Sequence, residues 1–394
     1  MVAHVGQGTS RRRWVILGVA VAAQAATSTL VYGLPFLIPA VRSAEGLSLA
    51  GAGSLTVAPV LGVLVALIAW GAAADRFGER VVMTIGMTGT GLGALAAVWA
   101  PGTGWLAAAL VLAGVFSASI SAASGRAVLG WFGPTERGLA MGIRQTCQPI
   151  GVGIAALTLP WVAGGLGYRA ALLVPAALCL LSAVLVALLL LDPPRKPVTD
   201  VAVTRSPYRG GRLVRVHLAS ALLVVPQFVS ATFALTYLVS ELGWDPVAAG
   251  AVLAAVQVFG ALGRVGAGVW SDRVASRMRP MRAIAAVVAA FLLVWALGDQ
   301  TAAWLAVVGL VAVVVVSVTD NGLGFTATAE LAGPFWAGRA LGIQNTGQNA
   351  VALAVAPVFG ALIPVAGWTW SLVIAAALPL AAMALTPVRG EVVT

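Results

Sequence analysis

Along the chain, long apolar runs alternate with short clusters of charge, glycine and proline, and this rhythm decides the fold class. A helix needs about 20 mostly apolar residues to cross the roughly 30 Å hydrocarbon core of a bilayer. Cutting the sequence at charge clusters and Gly/Pro turns predicts twelve such segments, at 14–40, 51–74, 81–100, 104–130, 139–163, 169–191, 214–240, 247–270, 281–298, 302–330, 338–364 and 368–387. The long polar stretch, Asp192 to Leu213, is rich in Pro and Arg and reads as a linker. The expected organisation is a cytoplasmic arm at 1–13, a six-helix bundle at 14–191, a cytoplasmic linker at 192–213, a second six-helix bundle at 214–388 and a cytoplasmic tail at 389–394. The predicted class is an all-α membrane protein with twelve transmembrane helices in two pseudo-symmetric bundles.

Composition supports the segmentation. Of 394 residues, 60% are apolar and 9% charged, and the mean hydropathy is +0.99. Soluble domains carry about 25% charged residues, so this chain has too little polar surface to cover a globule. The two cysteines, Cys147 and Cys179, both lie in apolar stretches and support neither a disulfide framework nor a metal cluster. With only His4 and His217 as histidines, metal-hydrolase and Ser-His-Asp chemistry lack raw material. The run after Trp14 is too long for a signal peptide and is expected to stay in the protein. No Walker loop, haem motif or dinucleotide fingerprint is present, so no cofactor is expected.

The net charge of +10 is a topology signal. With both termini inside, eighteen of the 23 basic residues fall on the cytoplasmic side, Arg42 and Arg169 on the other, and Arg126, Arg144 and Arg264 within spans. Anionic lipid suits that distribution and nucleic acid is not required. The expected location is the inner membrane of a bacterium, crossed many times.

The two halves repeat each other. Gly71 to Arg80 (GAAADRFGER) and Gly268 to Arg277 (GVWSDRVASR) share G-x-x-x-D-R-x-[GA]-x-R at an offset of 197. A second pair, FGPTERGLAMGIRQTCQ and AGPFWAGRALGIQNTGQ, recurs at an offset of 200, with Gly133, Pro134, Ala140, Gly142, Ile143, Thr146 and Gln148 matching Gly333, Pro334, Ala340, Gly342, Ile343, Thr346 and Gln348. Through these motifs the chain resembles a major facilitator superfamily (MFS) secondary transporter over nearly its full length. The resemblance implies two bundles closing alternately around a central site by rigid-body rocking, working as a monomer.

The loop motifs suit a gate built from Gly71, Asp75, Arg76, Gly78 and Arg80, and from Gly268, Asp272, Arg273, Arg277 and Glu330. Gly71 and Gly78 are expected to allow a tight turn, and Asp75 to cap the following segment and pair with Arg76, Arg80 or a neighbouring helix. A rigid topology anchor is the bland alternative. Related sequences often place an acid near the end of helix four, where this chain has Gly130. Only the second half, with Glu330, then has an obvious acidic partner for Arg273 or Arg277.

Ionised side chains in mid-membrane cost at least about 2.5–3.5 kcal/mol each, so Arg126, Arg144, Arg264 and Asp320 are candidate site residues. Their surplus of positive charge favours an anionic solute. Arg126 and Arg144 lie about 12–15 Å from the same cytoplasmic turn, and snorkelling or bonding to the motif loop and Glu136 competes with a substrate role. Arg264 resembles the helix-eight Arg of organic-anion carriers in the superfamily, although the Asp four residues earlier in monocarboxylate carriers is Gly260 here. A guanidinium matches both oxygens of a carboxylate. Asp320, followed by Asn321, is placed to carry a coupling proton or to neutralise Arg264. Gln148, Gln344 and Gln348 form polar stripes, and Gln24, Tyr32, Gln227, Tyr237 and Gln257 complete the candidate lining, with helix–helix bonding as the alternative.

The expected function is a secondary active carrier of a small, anionic organic solute, coupled to protons or counter-exchange. The rival within the class is a proton-coupled drug exporter, but Ala155 and Ala156 stand where its helix-five motif has Gly-Pro. A ligand sensor on a transporter fold, or a membrane enzyme, is the rival of another class. The enzyme reading fails for want of convergent acids, bases or metal ligands.

Overall fold

The computed structural model describes residues 8–193, 206–389 and 391. The first seven residues with His4, residues 194–205 with Arg195, Lys196 and Arg205, and residues 390 and 392–394 lie outside the described residues. The expected arm, linker and tail are therefore described only in part.

The apolar runs fold as helices because the lipid interior offers no hydrogen-bond partner, so each backbone group must be satisfied within its own segment. In chain order they are α1 (Gly8–Val31), α2 (Ile38–Glu45), α3 (Leu49–Phe77), α4 (Glu79–Val98), α5 (Thr103–Leu129), α6 (Arg137–Arg144), α7 (Cys147–Leu166), α8 (Tyr168–Ala171), α9 (Leu173–Leu189), α10 (Arg212–Thr236), α11 (Pro246–Arg273), α12 (Met278–Thr301), α13 (Ala303–Val316), α14 (Asn321–Ala332) and α15 (Ala337–Leu385). Among the described residues, eleven helical stretches are long and apolar enough to cross a membrane. The last, α15, holds both the eleventh and the twelfth span, divided where Gly367 turns to φ 75°.

Boundaries follow local chemistry. Ser48 caps α3 by accepting from the Gly51 N–H at 3.1 Å, and Asp245 caps α11 by accepting from Ala248 at 2.9 Å. The first helix starts six residues before Trp14, so Arg11 to Arg13 of the expected arm are helical. Arg13 lies over the rings of Trp14 and Phe132, which shelter its aliphatic stem. Outward faces carry large apolar side chains, Val65, Leu157, Trp161 and Val365 among them, as lipid contact requires.

Two of the interrupted spans bear on the candidate site. The fifth breaks at Gln145–Thr146 between α6 and α7, and the tenth at Ser317–Asp320 between α13 and α14. Interrupted transmembrane helices free main-chain polar groups, which is tolerated where those groups find protein or polar partners.

The described residues cluster into two compact units, one formed by 8–132, 146–193 and 333–346, the other by 133–145, 206–332, 347–389 and 391. Each unit thus contains a short stretch belonging to the opposite sequence repeat. Within the first, α3 packs closely on α5 because Gly62 and Gly114 leave room for the facing backbone at Val111 and Pro59. The indole of Trp70 reinforces this contact by donating to the Val115 carbonyl at 2.7 Å. In the second unit α12 and α13 meet through Gly298 and Gly309 in the same way.

Candidate functional site

Each signature motif begins in a helix whose acid reaches a segment of the opposite repeat. In the first unit the Asp75 carboxylate accepts from the backbone N–H groups of Gly338 (2.9 Å) and Arg339 (3.1 Å), at the start of α15. In the second, Asp272 accepts from Gly138 (2.9 Å) and Leu139 (2.8 Å), at the start of α6. Both acids satisfy N–H groups that a helix start leaves without intrahelical partners, where the helix dipole also favours negative charge.

Glycine makes the approach possible. A Cβ on Gly71 would land on the Gly338 carbonyl and a Cβ on Gly338 on the Gly71 carbonyl, and Gly268 and Gly138 obstruct each other in the same manner. Gly71 therefore lies inside α3 and serves close packing, which corrects its expected role in a turn. Gly78 does occupy the turn, with φ 93°, whereas its counterpart Ala275 is held at φ 46°.

Each clasp is completed by an arginine and a second acid, with their positions exchanged. In the first, Arg126 at the end of α5 pairs with Asp75 at 2.8 Å and with Glu79 in the loop, and donates to the carbonyls of Ala74 (2.9 Å) and Pro334 (3.2 Å). In the second, Arg277 in the loop pairs with Asp272 at 2.5 Å and with Glu330 at 3.3 Å, at the end of α14, and donates to the Pro134 carbonyl at 2.6 Å. Burial disfavours the Arg277 charge, but Glu330 and Asp272 outweigh it and raise its pKa above the ordinary arginine value. Arg137 adds a second bridge to Glu330 at 3.4 Å, and Arg339 one to Asp75 at 2.9 Å.

Several expectations change here. The first half does have an acidic partner: Glu79, fully buried, occupies the role expected of an acid near Gly130. Asp75 pairs with Arg126 and Arg339, while Arg76 lies over the Phe77 ring and Arg80 donates to the Ala187 carbonyl. Glu330 pairs with Arg277, and Arg273 is exposed. Sequence reasoning missed Glu79, which stands inside the quoted motif, and Gly138 and Gly338, which recur at the offset of 200.

A second cluster lies in the second unit, around the broken spans. Arg264, 6% exposed, donates from Nη1 to the Gln145 carbonyl, which has no helical donor because Pro149, four residues on, lacks an N–H. Asp320, 1% exposed, stands at the end of the break before α14, close enough for the Arg264 charge to act on it. Asn321 donates to Gln227 at 3.2 Å, joining α10 to this break. Arg144, 2% exposed, lies over the Phe325 ring with 5.9 Å to the centroid.

The other candidate residues have separate local partners or surroundings. Gln24 accepts from Ser124 at 3.0 Å, joining α1 to α5. Tyr237 donates to Asp299 at 3.0 Å and meets Trp295 and Trp368 edge-on. Gln344 and Gln348 are buried, Tyr32 and Gln148 half-buried, and Gln257 exposed. Among the described residues no group of His, Cys, Asp or Glu could hold a metal ion.

Helical spans in two repeats, with buried charges at helix breaks and ion-paired loops, define a multi-pass membrane carrier. Residues 17–357 match the profile of the Major Facilitator Superfamily, and the chain belongs to that family of transporters, which are not enzymes. It is 44% identical over 380 residues, covering 96% of this chain and 85% of the relative, to an uncharacterized MFS-type transporter of Mycobacterium tuberculosis. A second relative, the puromycin resistance protein of Streptomyces alboniger, is 30% identical over 243 residues, covering 61% of this chain and 45% of that one. Among solved structures the fold is similar to that of the MFS transporter FucP in the outward conformation, at TM-score 0.75 and 18% identity, covering 97% of this chain and 100% of the other.

Proposed function

We propose that the chain is a secondary active carrier of a small organic anion, coupled to protons or counter-exchange, working as a monomer in a bacterial inner membrane with both termini cytoplasmic. The carrying observation is the buried cluster at the broken spans. Arg144, Arg264 and Asp320 are buried within the spans, where charge is costly unless it serves a purpose. A carboxylate passenger suits a buried guanidinium. Arg264 would grip it through both oxygens, and Asp320 beside it would carry the proton that links binding to the gradient. The clasps of Asp75 and Asp272 would hold the cytoplasmic end shut in one state and release in the other, as alternating access requires.

Purified protein in liposomes tests this. Counterflow of labelled organic anions is expected, with Arg264→Ala lowering it at least about tenfold, the loss of a charge-assisted pair. Asp320→Asn should abolish accumulation driven by a pH gradient and leave counterflow intact. If amphiphilic drugs raise the melting temperature and anions do not, the anion assignment is wrong; binding without flux would point to a sensor. One observation favours a second reading, export of drugs: the similarity to the puromycin resistance protein. Puromycin efflux from vesicles would support that reading instead.

A further inference from the structure

Two acids that the clasps do not use stand 199 residues apart, Asp192 just past α9 and Glu391 just past α15. Asp192 Oδ1 accepts from the backbone N–H of Arg80 at 2.8 Å. Glu391 Oε1 accepts from the N–H of Arg277 at 2.6 Å and of Met278 at 3.1 Å, and its Oε2 accepts from the Ser276 hydroxyl. Arg80 and Arg277 are equivalent under the repeat offset of 197. The same cap has therefore been built twice, on the first residues of α4 and α12, by an acid that follows the last span of each half.

Both caps lie against the clasps. Asp192 adjoins Glu79, the buried acid that pairs with Arg126. A Cβ on Gly78 would fall on the Asp192 carboxylate, so the glycine serves this approach as well as the turn. Arg80 fastens the same corner by donating from Nε to the Ala187 carbonyl at 2.9 Å. On the other side Glu391 holds the backbone of Arg277, whose guanidinium reaches Asp272, Glu330 and Pro134. The chain leading to Glu391 is itself tied down, with Arg212 donating to the Arg389 carbonyl and Arg215 to that of Leu385, both at 2.9 Å.

We infer that Asp192 and Glu391 are positioning residues of the transport cycle, each fixing a helix start so that Glu79 or Arg277 is presented to its clasp. The inference rests on the reading of the clasps as gates. It makes Asp192 and Glu391 part of the gate.

The test uses full-length protein in liposomes, spin-labelled at Phe77→Cys and Val274→Cys, with the distance distribution read by pulsed electron resonance. Asp192→Ala and Glu391→Ala should each raise the open, longer-distance fraction at least about threefold, the scale of a lost helix cap. Asp192→Asn and Glu391→Gln, which keep shape and an acceptor oxygen, should fall between parent and Ala, and they preserve the test if an Ala variant fails to fold. If Asp75→Ala and Asp272→Ala open the distribution while the four cap variants match the parent, the inference is overturned and the gate reading stands. If Asp75→Ala and Asp272→Ala also leave it unchanged, both are overturned.

Discussion

The Asp75 carboxylate accepts the backbone N–H of Gly338 at 2.9 Å across 263 residues of chain. Asp272 repeats the contact with Gly138 across 134. Each acid serves two N–H donors and an arginine while 6–7% exposed. Removing such an acid leaves two helix-start N–H groups without their acceptor and its arginine with the second acid alone, so Asp75→Ala or Asp272→Ala should cost this conformation about 1–3 kcal/mol. Asp→Asn keeps an acceptor and should cost less. Thermal unfolding in detergent checks the order Ala worse than Asn worse than parent.

The exchanged polarity of the clasps makes a separate prediction. Arg126→Ala leaves Asp75 and Glu79 facing each other without their shared cation and should destabilise by about 3–5 kcal/mol. Adding Glu79→Leu should recover part of that loss, since an apolar replacement removes the buried orphan charge. A double-mutant cycle on the melting free energies reads the coupling, and additive losses would contradict the pairing.

Backbone proximity predicts a contrast among glycines. Gly138→Ala and Gly338→Ala drive a methyl into the opposite main chain and should each destabilise by about 1–3 kcal/mol. Gly153→Ala, in mid α7 with nothing within 4 Å of its Cβ position, should instead stabilise, by up to about 1 kcal/mol, through helix propensity. Melting temperatures of the three variants are sufficient to check the signs.

The turn between α11 and α12 holds Ala275 at φ 46°, where its counterpart in the first repeat is Gly78. Ala275→Gly should relieve about 1–2 kcal/mol of left-handed strain and raise the melting temperature. Gly78→Ala should do the reverse and additionally press on Asp192. Equal effects at the two positions would contradict the strain argument.

What the sequence alone determined is what depends on local composition and length. Bilayer thickness and a 1.5 Å rise fix how long an apolar run must be, so the spans and their repetition were legible before any coordinate. The signature acids Asp75 and Asp272 and the pair Arg264 and Asp320 stood out because charge in an apolar run always requires a reason. Tertiary structure decided the partners. Spacing left Arg126 open between a substrate role and a bond to the motif loop; Asp75 and Glu79 engage it, and electrostatic compensation can come from any part of the chain that folding brings near. That the Gln145 carbonyl lacks a helical donor was legible, because Pro149 four residues on has no N–H, but that Arg264 takes it was not, since only folding brings α11 there. The chain order likewise concealed that the segments after Pro134 and Pro334 pack with the opposite repeat, because a contact across hundreds of residues is set by shape and charge complementarity in space.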